Sequence, residues 1–221
     1  MSEERTRDRS WTLAEVRECA ASYFDDVAPA HDWQHVRRVA RLAETLAAEY
    51  DGDVDQRTLL AAAWLHDVGR GNEDRGEIDD HAEWGAAAAE RVLDDLGATP
   101  DTVAAVQHCI RAHRYSNDVD PGTVEARLLC DADNLDALGA VGVARCFSYG
   151  GEFGQPIHDP DLPLADDDTE AGETQLNHLQ KKVLSLRERM YTDPGRAVAA
   201  DRQAFVESFV ERFEREVAGD V

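Results

Sequence analysis

Residues 59–70 read LLAAAWLHDVGR: seven mostly apolar residues, then His66 and Asp67 side by side. The apolar run carries no strand-like alternation, and a helix that is apolar around most of its circumference belongs in a protein interior. An imidazole and a carboxylate are costly to bury unless something pairs with them. Two readings of this ending stand open. One is a helix terminus, with Gly69 as its C-terminal stop; the other is a metal site.

The flanking sequence is helical throughout. TLAE at 12–15 fits a capping box opening a first helix that runs to about Tyr23. A second helix spans about Asp32 to Tyr50, with Val36, Val39, Ala40, Ala43, Leu46 and Ala47 at helical spacing. The third covers roughly Gln56 to His66. After the Gly- and charge-rich stretch GRGNEDRGEID, read as a loop, a fourth begins near His81 and stops at Gly97. TPDTVAAVQHCIRAH supplies a Thr cap and a Pro at the first helical position for a fifth. Another helix starts near Thr123 and carries EARLLCDADNLDALGAVGVARCF. Residues 148–172, SYGGEFGQPIHDPDLPLADDDTEAG, read as an acidic loop or lid. Two C-terminal helices over 173–217 follow, with TDPGR capping the second. The expectation is an all-α chain: a single domain with its core at about 15–147 and a C-terminal helical extension.

The totals bound the function. The 221 residues are 43% hydrophobic, enough for one sizeable core or two closely packed halves. No segment approaches the roughly 20 apolar residues that span a bilayer, and the start MSEERTRDRS has no apolar run, which predicts a soluble, unprocessed, cytoplasmic protein with no membrane partner. Cys19, Cys109, Cys130 and Cys146 show no CxxC spacing, so neither a thiolate zinc cluster nor a redox motif is expected. Forty-six acids face 23 basic residues, and lysine occurs only as Lys181 and Lys182. A formal charge of −23 disfavours a nucleic acid polymer as partner, because that affinity comes chiefly from neutralising phosphates. Dispersed over whole helices, the acids suit a salt-adapted surface, since screening shortens the Debye length to about 3 Å at 1 M. Thermal stability is therefore expected to rise between low and molar salt; a melting temperature indifferent to salt would remove this reading.

Position separates the eight histidines. His35 shares a stripe with Val39, Leu42 and Leu46. His81 continues into Trp84, Gly85, Ala88 and Val92, and His113 follows Val103, Val106 and Ile110. His31 lies at a fraying end, His108 on the opposite side of its stripe, and His158 and His178 late in the chain. A single inward histidine is ordinarily a hydrogen-bonded core residue, but several beside His66–Asp67 form the ligand set of divalent ions such as Mn, Fe, Co or Zn, with Mg possible given more carboxylate. Asp131, Asp133 and Asp136 lie in a mostly apolar helix. Asp131 and Asp133 sit about 200° apart around it, so one is expected as a ligand and the other as a capping or supporting group.

The order His35, His66–Asp67 and an Asp within DADNLDALGAVGVARCF resembles the HD-domain superfamily of metal-dependent phosphohydrolases. HDWQHVRRVARLA, HAEWGAAAAERVLDDLG, HRYS and NHLQKKVLSLRERMYTDPGRAVAADRQAFVESFVERF are similar to the bacterial and archaeal subfamily that includes nucleoside triphosphate pyrophosphohydrolases. The resemblance implies an all-helical HD core with a divalent ion (Mn, Mg, Co or Ni) held by His35, His66, Asp67 and Asp133. Asp133 is preferred to Asp131 for its ADNL context. His81 and His113 occupy places where dinuclear relatives put extra histidines, and would bind phosphate or carry protons beside Asp67. ADNL has Asn134 where relatives often carry Arg, and HCIRAH offers spaced rather than adjacent histidines.

The implied activity is hydrolysis of phosphoester or phosphoanhydride bonds in a small, nucleotide-like substrate by a monomer or homodimer. Arg70, Arg75, Arg145 and Lys182 are the cations for its phosphates, Arg being suited to them by its fork of donors. Gly139 and Gly142, costly inside a helix, point to tight helix crossing or ligand contact. The alternatives are a regulatory nucleotide-binding module without turnover, a di-iron oxygenase on the same scaffold, and a helical structural protein whose histidines are incidental.

Overall fold

A computed structural model describes residues 11–25, 27–114 and 119–220. The opening MSEERTRDRS and the Tyr115–Ser116 half of HRYS lie outside the described residues. Among those described, regular structure is entirely helical, and the chain divides into two compact units, Met1–Cys130 and Asp131–Val221. No helix among them is long and apolar enough to cross a membrane.

Side-chain caps start most helices of the first unit. In α1 (Leu13–Ala21), Thr12 Oγ1 accepts from the Glu15 amide while Glu15 accepts from the Thr12 amide at 2.8 Å, completing the expected capping box. Asp32 caps α2 (Trp33–Glu49), accepting from the Gln34 and His35 amides at 2.9 and 3.0 Å. Asp55 does the same for α3 (Gln56–Leu65). Asp80 opens α5 (His81–Leu96), which Gly97 closes with a φ of 84°, the left-handed conformation that glycine adopts without strain. Thr99 and Pro100 open α6 (Pro100–His113).

Helix α3 is the centre of this unit. Thr58 through Ala63 and Leu65 are buried, and α1, α2, α5 and α6 all pack against it. Its run of alanines lets those neighbours approach closely. The stretch after it is not the continuous loop expected from GRGNEDRGEID: Arg70–Asp74 forms one short helix, α4. Gly69 also differs from expectation. It is not a left-handed helix stop, since its φ is −93° and α3 has already ended at Leu65. A Cβ at this position would lie 2.7 Å from the His81 carbonyl oxygen, so glycine is required here by close backbone approach to the start of α5.

Helix α7 (Val124–Asp136) carries the division between the units. The second unit shows a break where one helix was expected: the chain turns at residues 137–138 and α8 (Gly139–Glu152) begins on Gly139 with a φ of 79°. Gly142 is forced by the Ala137 carbonyl, with which a Cβ would collide. The acidic loop therefore starts at Phe153 rather than 148. Asp167 ties it down, accepting from Thr169 Oγ1 at 2.5 Å, the Glu173 amide at 2.9 Å and Asn177 Nδ2 at 2.8 Å. The first C-terminal helix is a short α-turn, α9 (Gln175–His178), continued by a wide turn over Leu179–Val183 and a tight one over Leu184–Arg189. Thr192 then caps α10 (Asp193–Val217), accepting from the Gly195 amide at 3.1 Å. All four cysteines are unbridged, and burial pushes the Cys109 and Cys146 thiols up to about 12, far from the thiolate form that nucleophilic chemistry needs.

Candidate metal centre

Four helix ends bring imidazoles to one buried carboxylate. His35 lies in the first turn of α2, His66 directly after α3, His81 at the start of α5 and His113 at the end of α6. Asp67 follows His66, and all five side chains are buried. One oxygen of Asp67, Oδ2, faces His35 Nε2 at 3.4 Å and His66 Nε2 at 3.7 Å, and these two nitrogens lie 3.3 Å apart. The other, Oδ1, faces His81 Nε2 at 3.3 Å and His113 Nε2 at 3.4 Å, again with 3.3 Å between the nitrogens. Each oxygen with its two imidazoles forms a trio of donor atoms lying within 4.8 Å of one another.

Hydrogen bonds on the far side of the rings decide what these nitrogens offer. His66 Nδ1 lies 2.9 Å from the Ala63 carbonyl and His113 Nδ1 2.5 Å from the Ile110 carbonyl. A carbonyl only accepts, so Nδ1 carries the proton in both rings, and in the neutral ring Nε2 presents a lone pair inward. Lone pairs converging on a carboxylate repel one another unless a cation sits between them. The donor set therefore fits a divalent metal. Burial raises the affinity of Asp67 for a proton, whereas the charge of protonated His66 and His81 and hydrogen bonds donated by protonated His113 and His35 outweigh it and hold the carboxyl well below the usual range. Burial also holds His81 below the ordinary imidazole range, opposed by Asp67 and Glu73.

The chain is similar to known proteins. The HD domain family matches residues 32–138. An HD-superfamily hydrolase from Bacillus thuringiensis is 30% identical over 93% of this chain and 96% of its own, with a TM-score of 0.72. A protein described as a predicted HD-superfamily hydrolase, from an uncultured Thermotogales bacterium, is 33% identical over 92% of each chain, with a TM-score of 0.65. The chain belongs to the HD superfamily. Bacillus subtilis YpgQ, solved in complex with ADP, is 25% identical over 95% of this chain and the whole of its own, with a TM-score of 0.73.

The HD pair is thus His66–Asp67, and the structure gathers it with His35, His81 and His113. Asp133, the remaining expected ligand, lies half-buried on α7 in the second unit. Asp131 serves the structure instead. Its buried carboxylate accepts from the Tyr191 amide at 2.7 Å, the Thr192 amide at 2.9 Å and the Thr192 hydroxyl at 2.6 Å. Asp136 is buried against Arg145, whose Nη1 lies 3.2 Å away. The expected phosphate cations are all found in ion pairs. Arg70 contacts Glu73 and Asp74 at 3.3 and 3.0 Å, Arg75 contacts Glu77 at 3.0 Å, and Lys182 contacts Glu170 at 2.6 Å.

Glu73 was missed by sequence reasoning. On α4, it accepts from His81 Nδ1 at 2.8 Å through Oε2 and from Arg114 Nη1 at 2.6 Å through Oε1. Nothing in a charged, Gly-rich stretch singles out one glutamate among its acidic neighbours; only the turn of α4 aims it at the site.

Proposed function

We propose that this HD protein is a metal-dependent hydrolase of phosphoester or phosphoanhydride bonds in small, nucleotide-like substrates. The observation that carries this reading is the pair of histidines facing each oxygen of the buried Asp67. His35, His66 and Asp67, together with Asp133 by its ADNL context, would hold a divalent ion (Mn, Mg, Co or Ni). Such an ion, when bound, polarises a phosphoryl oxygen and lowers the pKa of its water from about 15.7 toward 7.

The protein's own groups do the rest. Asp67, in its carboxylate form, could receive a proton from a water beside it. His81 and His113 line the Oδ1 side, where they would contact a phosphate oxygen or pass a proton onward from Nε2. Arg70, whose amide donates to the Asp67 carbonyl at 2.9 Å, is the phosphate cation best placed by the chain, and engaging a substrate would mean leaving Glu73 or Asp74. Arg75, Arg145 and Lys182 are the further candidates, and each would likewise exchange an acidic partner for phosphate. YpgQ in complex with ADP supports the nucleotide class. The net charge of −23 favours a small substrate over a long polyanion.

The test is a panel of nucleotides and phosphoesters with Mn, Mg, Co and Ni at high salt, reading phosphate and pyrophosphate separately. Release that stops with a chelator and returns with metal is expected. A panel in which no phosphorylated compound is hydrolysed with any ion would refute the reading. The trio of Asp67 Oδ1, His81 and His113 favours a second reading, with two ions. Two irons with visible absorption would move the assignment to oxygenation.

A further inference from the structure

Three of the inward-facing histidines, His66, His81 and His113, are held from behind in two different ways, and the difference follows from where each sits on its helix. His66 and His113 stand at helix C-termini, where the last carbonyls lack partners within the helix. Each donates Nδ1–H to the carbonyl three residues earlier, Ala63 and Ile110. His81 is the first residue of α5 and has no helical turn behind it to supply a carbonyl. A carboxylate from another element stands in that place.

We propose that Glu73 is the positioning residue for His81, fixing the ring as its Nδ1–H tautomer so that Nε2 offers a lone pair beside Asp67 Oδ1. Glu73 Oε2 receives His81 Nδ1 at 2.8 Å, and Glu73 Oε1 lies 3.3 Å from the His81 amide. The ring and the start of its helix are therefore held by one side chain. Two guanidiniums in turn hold Glu73. Arg114 Nη1 sits 2.6 Å from Oε1 and also reaches Asp80, the cap of α5, at 3.1 Å, while Arg70 Nη1 lies 3.3 Å from Oε2. With its charge and orientation fixed, the carboxylate can only accept, and Nδ1 must carry the proton. Gly69 completes the device by letting the α4 segment approach the His81 backbone.

The proposal rests on the metal-site reading above, and its test separates the two. Metal-free protein with 15N-labelled histidine is recorded by long-range proton–nitrogen correlation at a pH where the rings are neutral. In the native chain His66, His81 and His113 should all show Nδ1–H. In Glu73→Gln, Arg114 claims the amide oxygen and leaves the amide N–H facing the ring. His81 alone should shift to the Nε2–H tautomer, while His66 and His113, held by backbone carbonyls, report an intact fold. Glu73→Ala should give a mixture at His81. A His81 that keeps Nδ1–H in both variants overturns the proposal, whether or not the protein binds metal. Calorimetric titration with Co or Mn gives the second readout. Glu73→Gln should weaken binding at the Asp67–His81–His113 trio by about 10- to 100-fold and spare the His35–His66–Asp67 trio. In native protein that binds two ions per chain, equal loss at both sites, or loss at neither, contradicts a positioning role; in protein that binds one, the tautomer of His81 decides.

Discussion

Replacing Asp67 with Asn is expected to abolish metal-dependent hydrolysis, a fall in kcat/KM of about a thousand-fold or more, equivalent to roughly 4 kcal/mol of transition-state stabilisation. Asn keeps the shape and removes the charge. Because Oδ2 faces His35 and His66 while Oδ1 faces His81 and His113, one substitution disables both trios. Few other single changes reach so far: His113→Ala removes a nitrogen from one trio only. The fold should survive, since the helix ends that carry the histidines are held by caps and packing elsewhere. Steady-state rates with saturating Mn, read beside bound metal per chain, check this. An Asp67→Asn protein that keeps native rates would remove Asp67 from the chemistry.

The second large effect separates two aspartates of α7, with Asp133 the expected ligand and Asp131 the expected supporting group. Asp131→Ala leaves two amides and a hydroxyl without their buried acceptor and removes the support of the Thr192 cap on α10. Unsatisfied buried donors cost about 1–3 kcal/mol each, so a loss of about 4 kcal/mol is expected, lowering Tm by roughly 10 °C in a chain of this size. Asp133→Ala should behave in the opposite way: a Tm close to native and a fall in activity of about a hundred-fold or more. Thermal melts and rates on the same two proteins test both at once. A stable, inactive Asp131 variant beside an active Asp133 variant would exchange their roles.

Apart from α4, the helices that lie wholly in the first unit were readable because their starts are written locally. Thr12, Asp32, Asp55, Asp80 and Thr99 each cap a helix within three residues, and an apolar stripe follows. The inward histidines could be read for the same reason, each sharing a stripe with aliphatic residues of its own helix. What failed depends on the meeting of distant segments. Gly69 looks like a stop signal, yet its need is the His81 backbone twelve positions on. The break between α7 and α8 turns on Gly139, whose positive φ periodicity cannot report. A supporting role for Asp131 was expected, but its partner Thr192 lies 61 residues away, and Glu73, which was missed, meets Arg114 41 residues away. No local pattern encodes such pairings.

The central claim is that a divalent ion binds against the HD pair. Crystals grown with Mn, with diffraction recorded at its absorption edge, test it most directly. The account predicts an anomalous peak bounded by His35 Nε2, His66 Nε2 and Asp67 Oδ2, lost in the Asp67→Asn protein. A hydrolytically active crystal form with its only Mn peak elsewhere, and none among these three atoms, would contradict it.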